Sequence, residues 1–220
     1  MKRTKFFFGA AMCLLLAVSA VFAEAEKDSP EYALKQAAMA VRQKDEILLT
    51  KFVNENAFFA VAYDDGATAL AENIADLKRR YPDDPFFWHD TDFMKDYAAQ
   101  HKTYAMSLIK GIRHAYFNDM PPASLEENPA LFLAEELRTF ISESDGEIID
   151  LKRHGDAARA RVKITGSQSD YGRLTDGLVF EFSLRREKTG WQIEKIENAD
   201  ELLLPVTDSA EKFWTLKGWQ

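Results

Sequence analysis

The sequence predicts an α+β fold in which helices from the first half pack on a curved antiparallel sheet from the second. Apolar residues recur at three- and four-residue spacings as far as Ser142. From Asp145-Gly146 onward they recur at every second residue instead. No repeat, low-complexity tract or linker separates the two regions, so the helices are expected to cover the sheet's apolar face.

Ser29-Pro30-Glu31 is a helix start: a hydroxyl cap, proline at the first helical position, then an acid. Leu34, Ala37, Ala38 and Val41, then Leu48, Leu49 and Phe52, keep the helical period, and Asp45 between them reads as a second cap that bends the segment. The run from Ala57 to Tyr81 is helical, with a break expected near Asp64-Asp65-Gly66 and an end at Pro82 and Pro85. A third helix over Asp92 to Phe117 is expected to bury Phe93, Tyr97, Tyr104, Leu108, Ile112 and Ala115. Pro121-Pro122 stops it, and Pro129 to Ser142 reads as a shorter amphipathic helix.

Four strands follow. Ala158, Ala160, Val162 and Ile164 alternate with Arg159, Arg161 and Lys163, and Leu178, Phe180, Phe182 and Leu184 alternate with polar neighbours. Ile149 and Leu151 precede the first of these through a His154-Gly155-Asp156 turn, and Trp191 and Ile193 follow the second through Thr189-Gly190. Short turns between sequential strands make a meander. The longer link from Thr165 to Gly177 has three glycines but no phosphate-cradle spacing. The tail carries Phe213, Trp214 and Trp219 and is expected to dock on the domain.

The ends and totals bound the chemistry. A basic start, an apolar run from Phe6 to Val18 and Val21-Phe22-Ala23 form the pattern of a signal peptide over residues 1–23, cleaved after Ala23. The run is shorter than the roughly 20 residues that span a bilayer, and no second one follows, so stable membrane insertion is not expected. Removing 23 of 220 residues leaves 197, a single α+β domain over 24–220 with its helical part at about 29–142 and its sheet part at about 146–198. Cleavage takes away Lys2, Arg3 and Lys5 and no acid, carrying the formal charge from −8 to −11. An acidic surface repels phosphate backbones, so nucleic acid is not an expected partner. The only cysteine, Cys13, leaves with the signal peptide, which excludes disulfides, thiolate metal sites and cysteine nucleophiles from the mature form.

The opening bent helix, Glu31-Tyr32-Ala33-Leu34-Lys35-Gln36 through Lys44-Asp45-Glu46-Ile47-Leu48-Leu49, and the closing Gly190-Trp191-Gln192-Ile193-Glu194-Lys195-Ile196-Glu197-Asn198 resemble the nuclear-transport-factor-two-like superfamily. That resemblance implies a cone-like α+β fold enclosing a pocket, which among members is catalytic, ligand-binding or filled by side chains. Fold likeness alone implies no activity.

Candidate chemistry is sparse. His89-Asp90-Thr91-Asp92 holds residue types that suit zinc or a general base, but a helix cap at Asp90 or Thr91 accounts for it, and no metal or cofactor is expected. His114 adjoins Ala115 and is the candidate for a proton-transfer pair with an acid. Phe86-Phe87-Trp88 reads either as a loop anchor or as a lip on a surface. The basic strand face, with Lys152 and Arg153, is expected to pair with local acids such as Glu181. Tyr104, Leu108, Phe180, Phe182 and Trp191 are the expected walls of a pocket for a small apolar or amphipathic ligand. A cofactor-independent lyase, isomerase or hydrolase acting through His114, and an envelope protein-interaction module with a filled core, are the alternatives. Oligomeric state leaves no mark in the sequence.

Overall fold

The computed structural model describes residues 26–218; the expected signal peptide, Cys13 and Trp219 lie outside them. The fold is α+β. Among the described residues eight α-helices and one 3-10 turn accompany a four-stranded antiparallel sheet.

Local cap chemistry sets the helix starts. Helix α1 (Pro30–Gln43) begins where Ser29 Oγ accepts the Tyr32 N–H at 3.0 Å, and it ends at Lys44 in the left-handed conformation. Asp45 Oδ1 then accepts the Leu48 N–H at 2.8 Å, starting α2 (Glu46–Phe52) at the bend that the sequence predicts. Helix α3 (Glu55–Glu72) follows from an Asn54 cap. It runs unbroken through Asp64-Asp65-Gly66, contrary to the expected interruption. Asp64 reaches across to Lys102 Nζ at 2.7 Å instead of capping a new helix, so nothing stops the chain there. The break falls at Asn73, whose Nδ2 donates to Ala69 O at 2.9 Å before α4 (Ile74–Arg80).

Asp84 starts a 3-10 turn over Pro85–Trp88, and Asp90 Oδ1 accepts the Phe93 N–H at 2.8 Å to cap α5 (Thr91–Phe117). Phe87 of the turn is buried in a satellite core with Leu70, Ile74, Leu77, Met94 and Leu203, whereas Trp88 is 56% exposed. The aromatic triplet is thus both anchor and surface. Helix α6 (Pro129–Ser142) matches its expected bounds.

The sheet is the predicted meander, in the order β1 (Ser144–His154), β2 (Ala157–Gly166), β3 (Val179–Glu187), β4 (Gly190–Ile196). Gly155 and Gly190 supply the positive φ, 62° and 120°, that the two hairpin turns require. Ala158, Ala160, Val162, Ile164, Phe180, Phe182, Leu184, Trp191 and Ile193 all face the core, as the alternation predicts. Ile149 does not. A bulge between Ile148 and Asp150 shifts the register, leaving Ile149 45% exposed while Ile148 packs inward. A second irregularity, where Leu184 pairs with Ile193 after Ser183 pairs with Lys195, leaves Glu194 extra in β4. Bulges bend strands, and the sheet stays open and curved.

Short helix α7 (Asp170–Thr175) lies in the link between β2 and β3, and α8 (Ala199–Leu216) follows β4. Helices α1, α2 and α3 pack against β4, with α1 also reaching β3, while α6 sits against β1 and α7 against β2. Val53, between α2 and α3, forms a parallel bridge with Ile193 and so pairs part of the free edge of β4. The tail is helical: Phe213 and Trp214 are buried, and Lys217 Nζ donates to Glu136 Oε1 at 2.7 Å.

Candidate functional site

Helix α5 buries Ile112 and Ala115 as expected, but its N-terminal half turns a different face inward. Met94, Ala98, Ala105, Ile109, Ile112, Ala115 and Tyr116 are buried, whereas Phe93 and Tyr104 are 41% and 42% exposed. Alanines at 98 and 105 let α5 approach α3 closely, and Tyr63 of α3 donates to Ala98 O at 2.8 Å. Because α5 packs chiefly on α6 and α3, it stands behind the helices that cover the sheet. The aromatic stripe therefore lies on its outer side. There the rings of His89, Phe93, Tyr97 and His101 stack in a column, with centroid separations of 3.7, 6.0 and 3.9 Å.

The five residues expected to form a pocket wall are placed as follows. Tyr104 is on the exposed side of α5, and Leu108 is half-buried against the main core. Phe180 and Trp191 are fully packed within that core, with the Arg153 guanidinium 5.0 Å from the Trp191 ring. Of the five, Phe182 borders a gap in the packing. His114 is also displaced from its expected place. It is exposed, with Nδ1 3.2 Å from the Asn118 side-chain nitrogen, because its neighbours Ala115 and Tyr116 take the inward positions. Among the described residues no carboxylate is ion-paired with it, and no cluster of three or more His, Cys, Asp or Glu suits a metal.

The gap beside Phe182 is a cleft of about 60 Å³, partly open to solvent, between α1, the α2–α3 bend and the β3–β4 pair. Leu34, Ala37, Ala38 and Val41 form one wall, Leu49, Val53, Phe58 and Phe59 another, and Phe182 with Ile193 the floor. The amphipathic period of α1 and the inward alternation of the sheet place these side chains, and the two alanines leave the space. One charged residue, Glu55, stands on the wall.

Glu55 sits in the first turn of α3, where a carboxylate complements the helix N-terminus. Its side chain is only 9% exposed. Oε2 is ion-paired with the Arg113 guanidinium of α5, which also reaches Glu46 Oε1 of α2 at 2.8 Å. Oε1 is buried with no hydrogen-bond partner. Burial pushes the Glu55 carboxyl above its ordinary value; Arg113 pulls it down and Glu46 adds to the rise. An ionised oxygen without a donor in an apolar surround is costly, and it is satisfied by any group that brings a proton to it. Nothing in the local sequence marks Glu55 apart from an ordinary first-turn acid, and its partner lies on a distant helix.

A second depression, of about 310 Å³, lies between α3 and α5. It is shallow, and the Lys102–Asp64 ion pair belongs to its wall together with Tyr63 and three alanines. On the outer sheet face Arg159 lies 3.7 Å from Glu181, and Arg185 2.9 Å from Glu194, so the basic strand meets local acids as expected. No helix of the described residues is long and apolar enough to cross a membrane. Compared with known proteins, the chain matches no family model, no curated sequence and no solved structure.

Proposed function

We propose that this is an exported binding domain that receives the apolar part of a small amphipathic ligand in the cleft between α1, α2, α3 and β3–β4. The observation that carries the reading is the pairing of an apolar gap with a buried, unpartnered carboxylate oxygen on its wall. Well-packed interiors leave few voids, and polar groups in them are paired. A site with both exceptions together has the composition of a ligand pocket: apolar walls and one orienting polar group. The resemblance to the nuclear-transport-factor-two-like superfamily supports the same position, between sheet and helices.

Size limits the ligand. An apolar cavity of about 150 Å³ takes benzene, so a cleft of about 60 Å³ takes a shorter aliphatic group and leaves the rest of the molecule outside. Methyl-resolved NMR of the full chain with methyl n-propyl ether, 1-butanol or n-butylamine as probe tests this. The expected result is shifts confined to the methyls of Leu34, Val41, Leu49, Val53 and Ile193, lost in Ala38→Val with little change in melting temperature. Absence of those shifts with all three probes, with Ala38→Val overpacking and destabilising the chain, would overturn the reading.

The alternative of a partner-binding module draws on the exposed column along α5 with Trp88 at its end. Exposed aromatic surface is costly to leave in water and marks interaction sites. Serine at Trp88 and Phe93 is expected to leave the melting temperature unchanged. If those changes instead unfold the chain, the surface is part of the packing and this second reading fails.

A further inference from the structure

We infer that the head group taken by this cleft is a monocation, a small primary alkylammonium, held by the Glu55 carboxylate. The inference rests on the cleft reading above and adds the chemistry of the ligand to it.

Three charged side chains meet beside the cleft, of which Glu55 lines it: Glu46 from α2, Glu55 from α3 and Arg113 from α5. Two carboxylates and one guanidinium leave one net negative charge. Among the described residues, Arg113 and Glu46 are the charged side chains that act on the Glu55 carboxyl. Arg113 takes Oε2, and Oε1 of Glu55, a residue that lines the apolar gap, is buried without a hydrogen-bond partner, as is Arg113 Nε. A donor group on a ligand would satisfy Oε1, and a positive charge would also complete the charge balance. An ether or ketone head would add a second acceptor against the first. A hydroxyl would satisfy the hydrogen bond and leave the charge. An ammonium satisfies both, and charge-assisted bonds of this kind are about twice as strong as neutral ones. The apolar walls then hold the first few methylenes, since apart from Glu55 the lining the chain meets beyond the nitrogen is apolar, with Leu34, Val41, Phe58 and Phe182 among it.

Three probes of equal heavy-atom count separate the possibilities: n-butylamine, 1-butanol and methyl n-propyl ether, each titrated into the full chain near neutral pH and read by the lining methyl resonances. The expected order is amine, then alcohol, then ether, with the amine at least tenfold tighter than the ether. In Glu55→Gln that margin disappears while ether binding is retained. Ether binding with no gain for the amine would overturn the ammonium assignment and leave the cleft standing. Failure of all three probes would overturn the cleft reading and this inference together. Should Glu55→Gln fail to fold, the order of the three probes on the native chain still decides between them.

Discussion

The side-chain amide of Asn198 accepts, through Oδ1, the backbone N–H of Glu181 at 2.8 Å. Its Nδ2 donates to Val179 O at 2.9 Å. Strand β4 has already ended at Ile196, and the Glu197 N–H donates to Glu181 O at 2.7 Å. The asparagine thus stands in for one further strand residue beside β3. It occupies the N-cap position of α8 without making a side-chain cap bond there.

Asn198→Ala should therefore cost more than a lost helix cap. Two part-buried hydrogen bonds disappear, and the Glu181 N–H and Val179 C=O lose these partners, for about 2–3 kcal/mol in denaturant unfolding. Asn198→Asp keeps the acceptor and loses the donor, and places a charge near Val179 O. It should cost at least as much as the alanine change above the carboxylate range. A loss below about 0.5 kcal/mol for the alanine variant would show that water replaces the amide.

The register of the sheet gives a sharper contrast. Phe180 and Val162 are paired neighbours on the inner face and essentially inaccessible. Phe180→Asp or Val162→Asp buries an unpaired carboxylate and is expected to cost on the order of 3 kcal/mol or more. Arg161→Asp on the outer face should change stability little. Ser183 is not a suitable outer-face control, because its hydroxyl is buried without a hydrogen-bond partner. Equal tolerance at Val162 and Arg161 would contradict the pairing.

Two glycines should respond in opposite directions. A Cβ on Gly166 would lie 1.8 Å from Gly172 O, where the link after β2 folds back on itself. Gly166→Ala must displace backbone and is expected to cost on the order of 2–4 kcal/mol. Gly66 lies inside α3 with nothing within 4 Å of a new Cβ. Gly66→Ala should stabilise by about 0.5–1 kcal/mol, through helix propensity and a less disordered unfolded chain. Thermal unfolding of the two variants side by side checks both signs.

The features legible in the sequence are those decided locally. Ser29, Asp45 and Asp90 cap the helices they precede because cap geometry involves only the next three residues. The strands were legible because alternation survives any tertiary context that has one buried face. The inward face of the N-terminal half of α5 is not legible because that half carries two apolar faces. Phe93, Tyr97 and Tyr104 outweigh Ala98 and Ala105 in hydrophobicity, yet the alanines are what let another helix close in. Ile149 failed for a different reason, since a bulge moves the inward position by one residue and leaves no compositional trace. Glu55 was invisible because its role needs Arg113, Glu46 and an apolar gap, which only the tertiary fold brings together.

Export is tested without any structural assumption. The basic start, the apolar run and Val21-Phe22-Ala23 predict that protein recovered from periplasm or medium begins at Glu24 by intact mass. Recovery of the full precursor from the cytoplasm would defeat that expectation.

Glu55 and Asp208 make opposite predictions for pH. The Glu55 carboxyl is raised above its ordinary value, first by burial, with Arg113 opposing and Glu46 adding. The folded state then holds that proton more tightly than the unfolded chain does. Its effect on stability is neutral below the unfolded carboxylate value and becomes a loss as pH rises through the folded one. The native chain should therefore lose ground to Glu55→Gln on going from acid to neutral pH. Asp208 behaves the other way. Burial raises it, but hydrogen bonds from Arg80 and Tyr81 outweigh that and leave it lowered. Its stabilisation is present above the unfolded value and is lost as pH falls through the folded one, so Asp208→Asn should be costly at neutral pH and harmless in acid. Amine binding in the cleft adds a third, independent reading of the first group. Butylammonium keeps its charge across this range, so affinity should rise with pH as Glu55 ionises, in the same window where the native chain loses stability to Glu55→Gln. Urea unfolding and methyl-detected titrations over one pH series measure all three. An affinity for the amine that stays flat while the Glu55 stability difference changes would place the ammonium somewhere other than on that carboxylate.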